Sequence, residues 1–510
     1  MPMQKKRLLT SLISMGLISL LSACSLKAIE FERYFYDVKD NDSHEVIEGD
    51  NYLKIADYEP LKFINVSGEE ESFNTYLDVY RHQNYLHAMN STGINKIIVI
   101  PIDFNDYPCS NLTNGCKLSR TLIQNAFFGR ESRTQYESVA SYFDKSSYGK
   151  LKVDGFVTDW FRLNLNDSSG NPINYEYLSR KSTKKSIVSD IYKEALNWYQ
   201  NKYGNLASYY INGNQNQGVP IYFVYSAPNV DASEASDSAL WAYTFNTGGV
   251  YAWSSFSMFN LNMKNQVDTH TFIHEMGHML SLADYYASTS STAYSPTGHV
   301  DMMDYSLGDE TGYSKMALNW TRPYYVTGST TIKIKPFYQS GDLILIKNNW
   351  NKTAMDEYLL LEYYSPSGLN ELDSKNSNPE SKLFSKGGIK LYHVDSRVAY
   401  FSTSRITPIS YVSEGEYKSS TNRIGVAHTN SIVPSHKILK NPLYQLLDKN
   451  ENISYLDGGY ATDASLFYEG DSFGINSYKD YKFHDGSDIG FTFKINSLTS
   501  EEAVVEITKA

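Results

Sequence analysis

The stretch HTFIHEMGHMLSLADYY, residues 270–286, sets His274 and His278 four residues apart with Glu275 between them, and places Asp284 six residues past the second histidine. In a helix of 3.6 residues per turn, positions i and i+4 leave the same face one above the other. Two imidazoles so placed converge on one ion at about 2.0–2.1 Å, the length of a zinc–histidine bond. A catalytic Zn2+ takes three protein donors and leaves a fourth position to water, whose pKa then falls to about 7. Glu275 points beside such an ion, where a carboxylate accepts a proton from the water and delivers it to a leaving nitrogen. With 11 histidines in 510 residues, chance produces His-Glu-x-x-His in roughly one chain in a hundred, and chance does not account for the downstream residues that complete the pattern.

The third ligand is sought among Asp284, His299 and Glu310. Metzincins run His-Glu-x-x-His-x-x-Gly-x-x-His, followed by a tight turn that carries a methionine beneath the metal. Counted from His274, their third-ligand position is Asp284. Their glycine position is Ser281, where the chain leaves the helix with positive φ, a conformation serine adopts only at some cost. Thermolysin-like enzymes instead take a glutamate from a later helix, and Glu310 is the nearby candidate, although GDETG reads as a turn. Asp284 is preferred, with Glu310 and His299 held open. Within GHVDMMDYSLGDETGYSKMALNW, residues 298–320, Asp301 to Met303 sits where a methionine turn belongs, with Met303 as the base of the site. Tyr305, two residues on, stands at the offset where astacin-like and serralysin-like enzymes carry a tyrosine near the zinc, a likeness that implies a phenol able to hydrogen-bond an oxyanion; the plainer reading is that it is one of 43 tyrosines.

These motifs, together with INKIIVIPIDFND (94–106), SVASYFDKSSYGKLKVDGFVTDW (138–160), YSKMALNW (313–320), EYLLLEYY (357–364), GGIKLYHVDSR (387–397) and SLFYEGDSFG (465–474), resemble the immune inhibitor A family of secreted bacterial metallopeptidases. The likeness spans about four fifths of the chain and is specific only in the zinc segment. It implies His274, His278 and Asp284 as zinc ligands and Glu275 as the catalytic residue. Ser281 and Ala283 depart from the Gly and Pro usual in the family, which leaves the exit from the helix to be determined.

The first residues address the chain. Lys5, Lys6 and Arg7 precede an apolar run, Leu8 to Leu21, and the junction Leu21-Ser22-Ala23-Cys24 is lipobox-like. Residues 1–23 are thus expected to be a lipoprotein signal peptide, with Cys24 lipidated and tethering the chain to the outer side of the bacterial cytoplasmic membrane; the alternative is an ordinary secretory signal. The apolar run falls short of the roughly 20 residues a membrane span needs. Export to an oxidising compartment favours a disulfide between Cys109 and Cys116 across SNLTNG. Loss of residues 1–23 takes the net charge from −11 to −14, which argues against nucleic acid as a partner.

The expected fold is α+β: a lead segment at 24–90 that is a spacer or pro-segment, a metzincin-like catalytic domain at 91–328 and a β-sandwich-like module at 329–510. The run at 94–106 reads as a buried strand, residues 186–203 as a helix, VPIYFVYSA (219–227) as a strand, and GGVYAWSSFSMFN (248–260) as an edge strand able to pair with an extended peptide. Short alternating runs after residue 330 read as strands of the sandwich, and His393 and Asp395 as ordinary sheet residues. The expected activity is hydrolysis of peptide bonds in proteins outside the cell, with one Zn2+ as cofactor. A non-catalytic surface binding or adhesion protein on a peptidase fold, and a zinc amidase acting on cell-wall peptides, are the alternatives. Calcium has no specific support, since Gly308–Glu310 and the acidic loops read as solvated turns.

Overall fold

The computed structural model describes residues 31–36, 46–83, 86–180, 183, 185–230, 238–259, 266–287, 295–375, 383–402, 407–415, 423–452, 455 and 459–510. The expected signal peptide and Cys24 lie outside the described residues. Among those described, no helix is long and apolar enough to cross a membrane.

The chain opens with two short strands, β1 (Ile47–Gly49) and β2 (Tyr52–Lys54), and a hairpin of β3 (Leu61–Ile64) and β4 (Glu70–Phe73). Next comes a six-stranded sheet made of β5 (Gly93–Asp103), β6 (Leu151–Val157), β7 (Phe161–Arg162), β8 (Ile221–Tyr225), β9 (Tyr243–Phe245) and β10 (Tyr251–Ser255). Its order is β6-β5-β8-β10-β9, with β7 on the end of β5. The apolar run IIVIPI makes β5 a central strand: Ile97 and Val99 enter one core while Ile98, Ile100 and Ile102 enter another. Burial on both faces suits a parallel sheet flanked by helices. Helices Gly115–Phe128, Val139–Ser146 and His270–Met279 pack on the first face through Leu122, Phe143 and Ile273. The helix expected at 186–203 runs Val188–Tyr203 and covers the second face through Val188 and Ile191.

The strand within 248–260, expected at an edge, is interior. β10 is flanked by β8 on one side, in parallel, and by β9 on the other, antiparallel, with Ala252 opposite Thr244. All five of its residues are buried. The edge belongs to β9, a three-residue strand whose short length hides it from any periodicity.

The β-rich half contains β11 (Tyr324–Val326), β12 (Thr330–Ile334), β13 (Leu343–Ile346), β14 (Glu357–Tyr364), β15 (Gly388–Asp395), β16 (Val398–Phe401), β17 (Pro408–Tyr411), β18 (Ile424–Val426), β19 (Tyr444–Leu446), β20 (Ser472–Phe473), β21 (Phe491–Leu498) and β22 (Ala503–Lys509). A seven-stranded sheet, β1-β2-β11-β13-β14-β15-β19, packs against a four-stranded one, β12-β22-β21-β20. Alternation divides the residues of the larger sheet: Ile344, Leu359, Leu361 and Leu391 face the smaller sheet, whereas Leu343, Leu345, Leu360 and Tyr392 join the core beneath the His270–Met279 helix.

The structure departs from expectation at three more places. The described part of the lead segment is no free spacer, because β2 pairs antiparallel with β11 and Phe63, Phe73 and Tyr76 lie in the main core. That same core runs across position 328, so the two expected units share one interior. The turn at Gly308–Glu310 is likewise buried rather than solvated: Asp309 is held by Lys315 at 2.6 Å, and Glu310 is 1% exposed. Lys315, whose own side chain is fully buried, is the counter-charge that makes burial of Asp309 tolerable. Cys109 and Cys116 are disulfide-bonded.

Two-sided burial of β14 has a direct consequence. Leu360→Ala and Leu361→Ala, on opposite faces of one strand, should each lower the free energy of unfolding by about 2–5 kcal/mol, measured by urea denaturation. A large loss for one and almost none for the other would mean that one face is solvated.

Candidate metal centre

The helix His270–Met279 begins where Asp268 Oδ1 accepts the His270 amide at 3.0 Å, and its apolar face, Phe272, Ile273 and Met276, is buried. Its end is set by Ser281, at φ 85°. The Ser281 amide donates to His278 O at 2.9 Å and the Leu282 amide to Gly277 O at 3.1 Å, the paired bonds of a Schellman turn. Serine therefore does take the left-handed conformation that a glycine would adopt freely, and its Oγ is buried with no hydrogen-bond partner among the described residues. The reversal swings Leu282 O back onto His278 Nδ1, 2.8 Å away.

His274 is oriented from the other side. A turn over residues 301–304, closed by Asp304 N to Asp301 O at 2.9 Å and by Met303 N to Asp301 Oδ1 at 2.8 Å, presents Met302 O to His274 Nδ1 at 2.9 Å. Met303 is fully buried under the helix, and a Cβ at position 277 would meet its sulfur, so any larger residue there would make the methionine side chain shift. A carbonyl can only accept; each Nδ1 thus carries a hydrogen, and each ring when neutral presents a bare Nε2.

Both Nε2 atoms face one carboxylate oxygen. Asp284 Oδ1 lies 3.1 Å from His274 Nε2 and 3.2 Å from His278 Nε2. Donors bound tetrahedrally to one ion at about 2.0–2.1 Å stand about 3.3–3.4 Å apart, so these three atoms hold close to the spacing of a ligand set. The donors are compatible with a metal ion. Burial opposes the imidazolium of His278, but Asp284 outweighs it and pushes the ring up to about 9. Despite its own burial, Asp284 is held far below the usual carboxylate range by the two histidines. That mutual attraction marks a place where positive charge is strongly favoured. The other candidates for third ligand point elsewhere: His299 Nδ1 is 2.8 Å from Asp304 Oδ1, and Glu310 is buried beside Asp301.

Glu275 does not join the three donors. Its Oε2 accepts from the Thr244 hydroxyl at 2.8 Å, and the same hydroxyl lies 2.9 Å from Glu275 O. Burial raises this carboxyl above its ordinary value although His278 and His274 pull the other way. The site opens into a cleft of about 600 Å³ walled by Trp241, Tyr243, Met258, Tyr286 and Tyr305, with β9 along it. Tyr305 is 48% exposed, its ring 5.6 Å from that of Tyr286. Tyr286 lies almost parallel to His274, and burial together with Asp284 keeps its phenol firmly protonated.

Thr244 and Tyr286 are the site residues that sequence reading misses. Thr244 carries no local signal, since strand pairing brings it to the helix. Tyr286 ends the quoted motif but is indistinguishable there from the many other tyrosines.

No protein-family model and no curated protein matches the chain. Among solved structures there is a likeness to wild-type OgpA from Akkermansia muciniphila, at 10% identity and a TM-score of 0.22, over 60% of this chain and 91% of that one.

Ser281→Gly should raise stability by about 1 kcal/mol, since relief of left-handed strain, about 1–2 kcal/mol, and of an unpaired hydroxyl exceeds the added chain entropy of glycine. The midpoint of urea unfolding reads this out; a lower midpoint would show that the turn gains nothing from glycine.

Proposed function

We propose that the chain is a zinc-dependent endopeptidase of the metzincin type, akin to the immune inhibitor A family, that hydrolyses proteins outside the cell while tethered through Cys24. The observation that carries this reading is the convergence of His274 Nε2, His278 Nε2 and Asp284 Oδ1 at 3.1–3.2 Å, with Glu275 beside them but not among them. A binding protein would need the three donors; it would have no use for a fourth, buried carboxylate held off the metal by its own hydroxyl donor.

When bound, zinc supplies Lewis acidity toward the scissile carbonyl and lowers the pKa of water. The rest falls to the chain. Among the described residues β9 pairs as a strand on one side only, with β10, and its other edge borders the cleft, where an extended peptide can add as a further strand. Such pairing fixes the peptide along β9, on the strand that also carries Thr244. Glu275, kept in place by the Thr244 hydroxyl, accepts a proton from the attacking water as its oxygen bonds to the carbonyl carbon. The same carboxyl then gives that proton to the amide nitrogen as the carbon–nitrogen bond breaks, leaving a carboxylic acid and an amine. Tyr305, exposed in the same cleft, offers a phenolic donor to the carbonyl oxygen as charge accumulates there. Aromatic walls favour peptides with apolar side chains flanking the cut.

Casein digestion by wild type, Glu275→Ala and Thr244→Val, each with zinc content measured alongside, tests the scheme. Glu275→Ala should lose about 10²–10⁴-fold in kcat while retaining zinc, the usual range for a general base. Thr244→Val should lose about tenfold in kcat with KM little changed, the effect of one hydrogen bond to a charged group. Wild-type activity in Glu275→Ala discards the base, and absence of zinc from the wild type discards the class.

A further inference from the structure

Among the described residues a second set of donors gathers far along the chain: Glu357 on β14, His393 on β15 and His484 in the segment before β21. The register explains the first two. Glu357 pairs with Asp395 and Leu359 with His393, so Glu357, His393 and Asp395 project from one face at one end of the strand pair. That face is the one turned toward the four-stranded sheet, where Leu359, Leu361 and Leu391 are core. The apolar filling gives way at its end to a polar cluster with no exposure at Glu357, His393 or Asp395.

Distances within the cluster are short. His393 Nε2 lies 3.0 Å and His484 Nδ1 3.7 Å from Glu357 Oε1, and His484 Nδ1 lies 2.9 Å from Asp395 Oδ2. His428 Nε2 approaches the same Asp395 oxygen at 3.1 Å. Arg397 grips Asp395 with two hydrogen bonds, at 2.7 and 2.6 Å, and fixes it from outside.

The cluster keeps one buried acceptor without a hydrogen bond, although Arg397 and Lys347 already stand as counter-charges to Glu357. Glu357 Oε2 is buried without a hydrogen-bond partner; Arg397 Nη2 at 3.3 Å and Lys347 Nζ at 3.9 Å are near it but outside bonding geometry. His428 Nδ1 lies 3.1 Å from the Asn441 carbonyl, which can only accept, so that nitrogen holds the hydrogen. A neutral His428 then accepts the Tyr411 hydroxyl at Nε2, 3.0 Å away, while the same nitrogen lies 3.1 Å from Asp395 Oδ2.

We propose that Glu357, His393 and His484, with Asp395 and His428 at their side, form a second divalent-cation site that fastens the C-terminal sandwich. Mixed imidazole and carboxylate donors select zinc or a neighbouring first-row transition ion over calcium and magnesium, which prefer all-oxygen shells. His393 is prepared for ligation through Nε2: its Nδ1 is 2.7 Å from the Tyr481 oxygen, which Gln445 Nε2 supports at 2.9 Å, so a hydrogen on Nδ1 has a fixed acceptor. Both histidines of the cleft are oriented by the same device, a partner on Nδ1. An ion here joins β14 and β15 to the chain around residue 484, and binding only the folded state it stabilises that state. It lies on the face of the large sheet turned away from the His270–Met279 helix and serves no step in the proposed chemistry.

Zinc stoichiometry decides the matter, measured by plasma mass spectrometry on the full chain after zinc loading and dialysis. Wild type, H274A/H278A, H484Q and the combination of all three substitutions are compared, with circular dichroism reporting the fold. Wild type should hold about two ions, H274A/H278A and H484Q about one each, and the combined variant none; removing the remaining ion from H274A/H278A with a chelator should lower its Tm. A wild type with one ion that H274A/H278A abolishes overturns the proposal. One ion that instead survives in H274A/H278A upholds the second site and removes the proposed catalytic one. If H484Q does not fold, cobalt added to H274A/H278A gives the same decision: visible d–d absorption supports the site, and a colourless protein overturns it.

Discussion

Two backbone carbonyls, Met302 O and Leu282 O, each take the Nδ1 hydrogen of one histidine and so aim two lone pairs at one point in space. Helical spacing alone brings the rings to one face; it does not decide their rotation, and a ring turned about its last bond offers its nitrogen elsewhere. The carbonyls remove that freedom. Each comes from a local structure with its own cause, a left-handed residue at 281 in one case and an aspartate-nucleated turn at 301–304 in the other. Asp284 depends on the first, because the chain has to reverse at 281 for the carboxylate to return beneath the helix.

The packing that supports these turns is shared across the molecule. The main core holds Phe272 and Met276 of the helix, Met303 of the turn, Leu343 and Leu360 of the large sheet and Phe63 of the opening hairpin. Asp301, which closes the turn, also accepts from Thr311 and Ser314, so the turn is tied to the short helix Gly312–Ala317. The β-rich half is thus part of the floor of the site and not an appendage. Damage to the seven-stranded sheet would reach the histidines through the core before it reached any loop.

Features that depend on near neighbours are legible in the chain itself. His274, Glu275, His278 and Asp284 lie within eleven positions, and their joint placement comes from one helix and one turn; the positive φ at 281 belongs to the same stretch. The apolar run of β5 and the alternating runs of β14, β15, β21 and β22 can be read because burial leaves a period in the residues themselves. Strand order leaves none. β10 looks like an edge and is flanked on both sides, while the actual edge, β9, is too short to show alternation; Thr244 stays hidden for that reason. Charge balance is equally silent in sequence, since nothing near Asp309 announces that Lys315 will be buried against it, and nothing in GIKLYHVD announces His428 and His484.

The pairing of β2 with β11 sets an order of assembly. Lys54 meets Tyr324, a partner made about 270 residues later, and contacts so distant in the chain form late because the loop they close is costly in entropy. A strand that leaves the ribosome near the beginning therefore waits, paired with β1 on one edge and unsatisfied along the other, until well over half of the polypeptide has emerged. Folding cannot run from front to back in this protein: its opening segment is among the last pieces to be locked in.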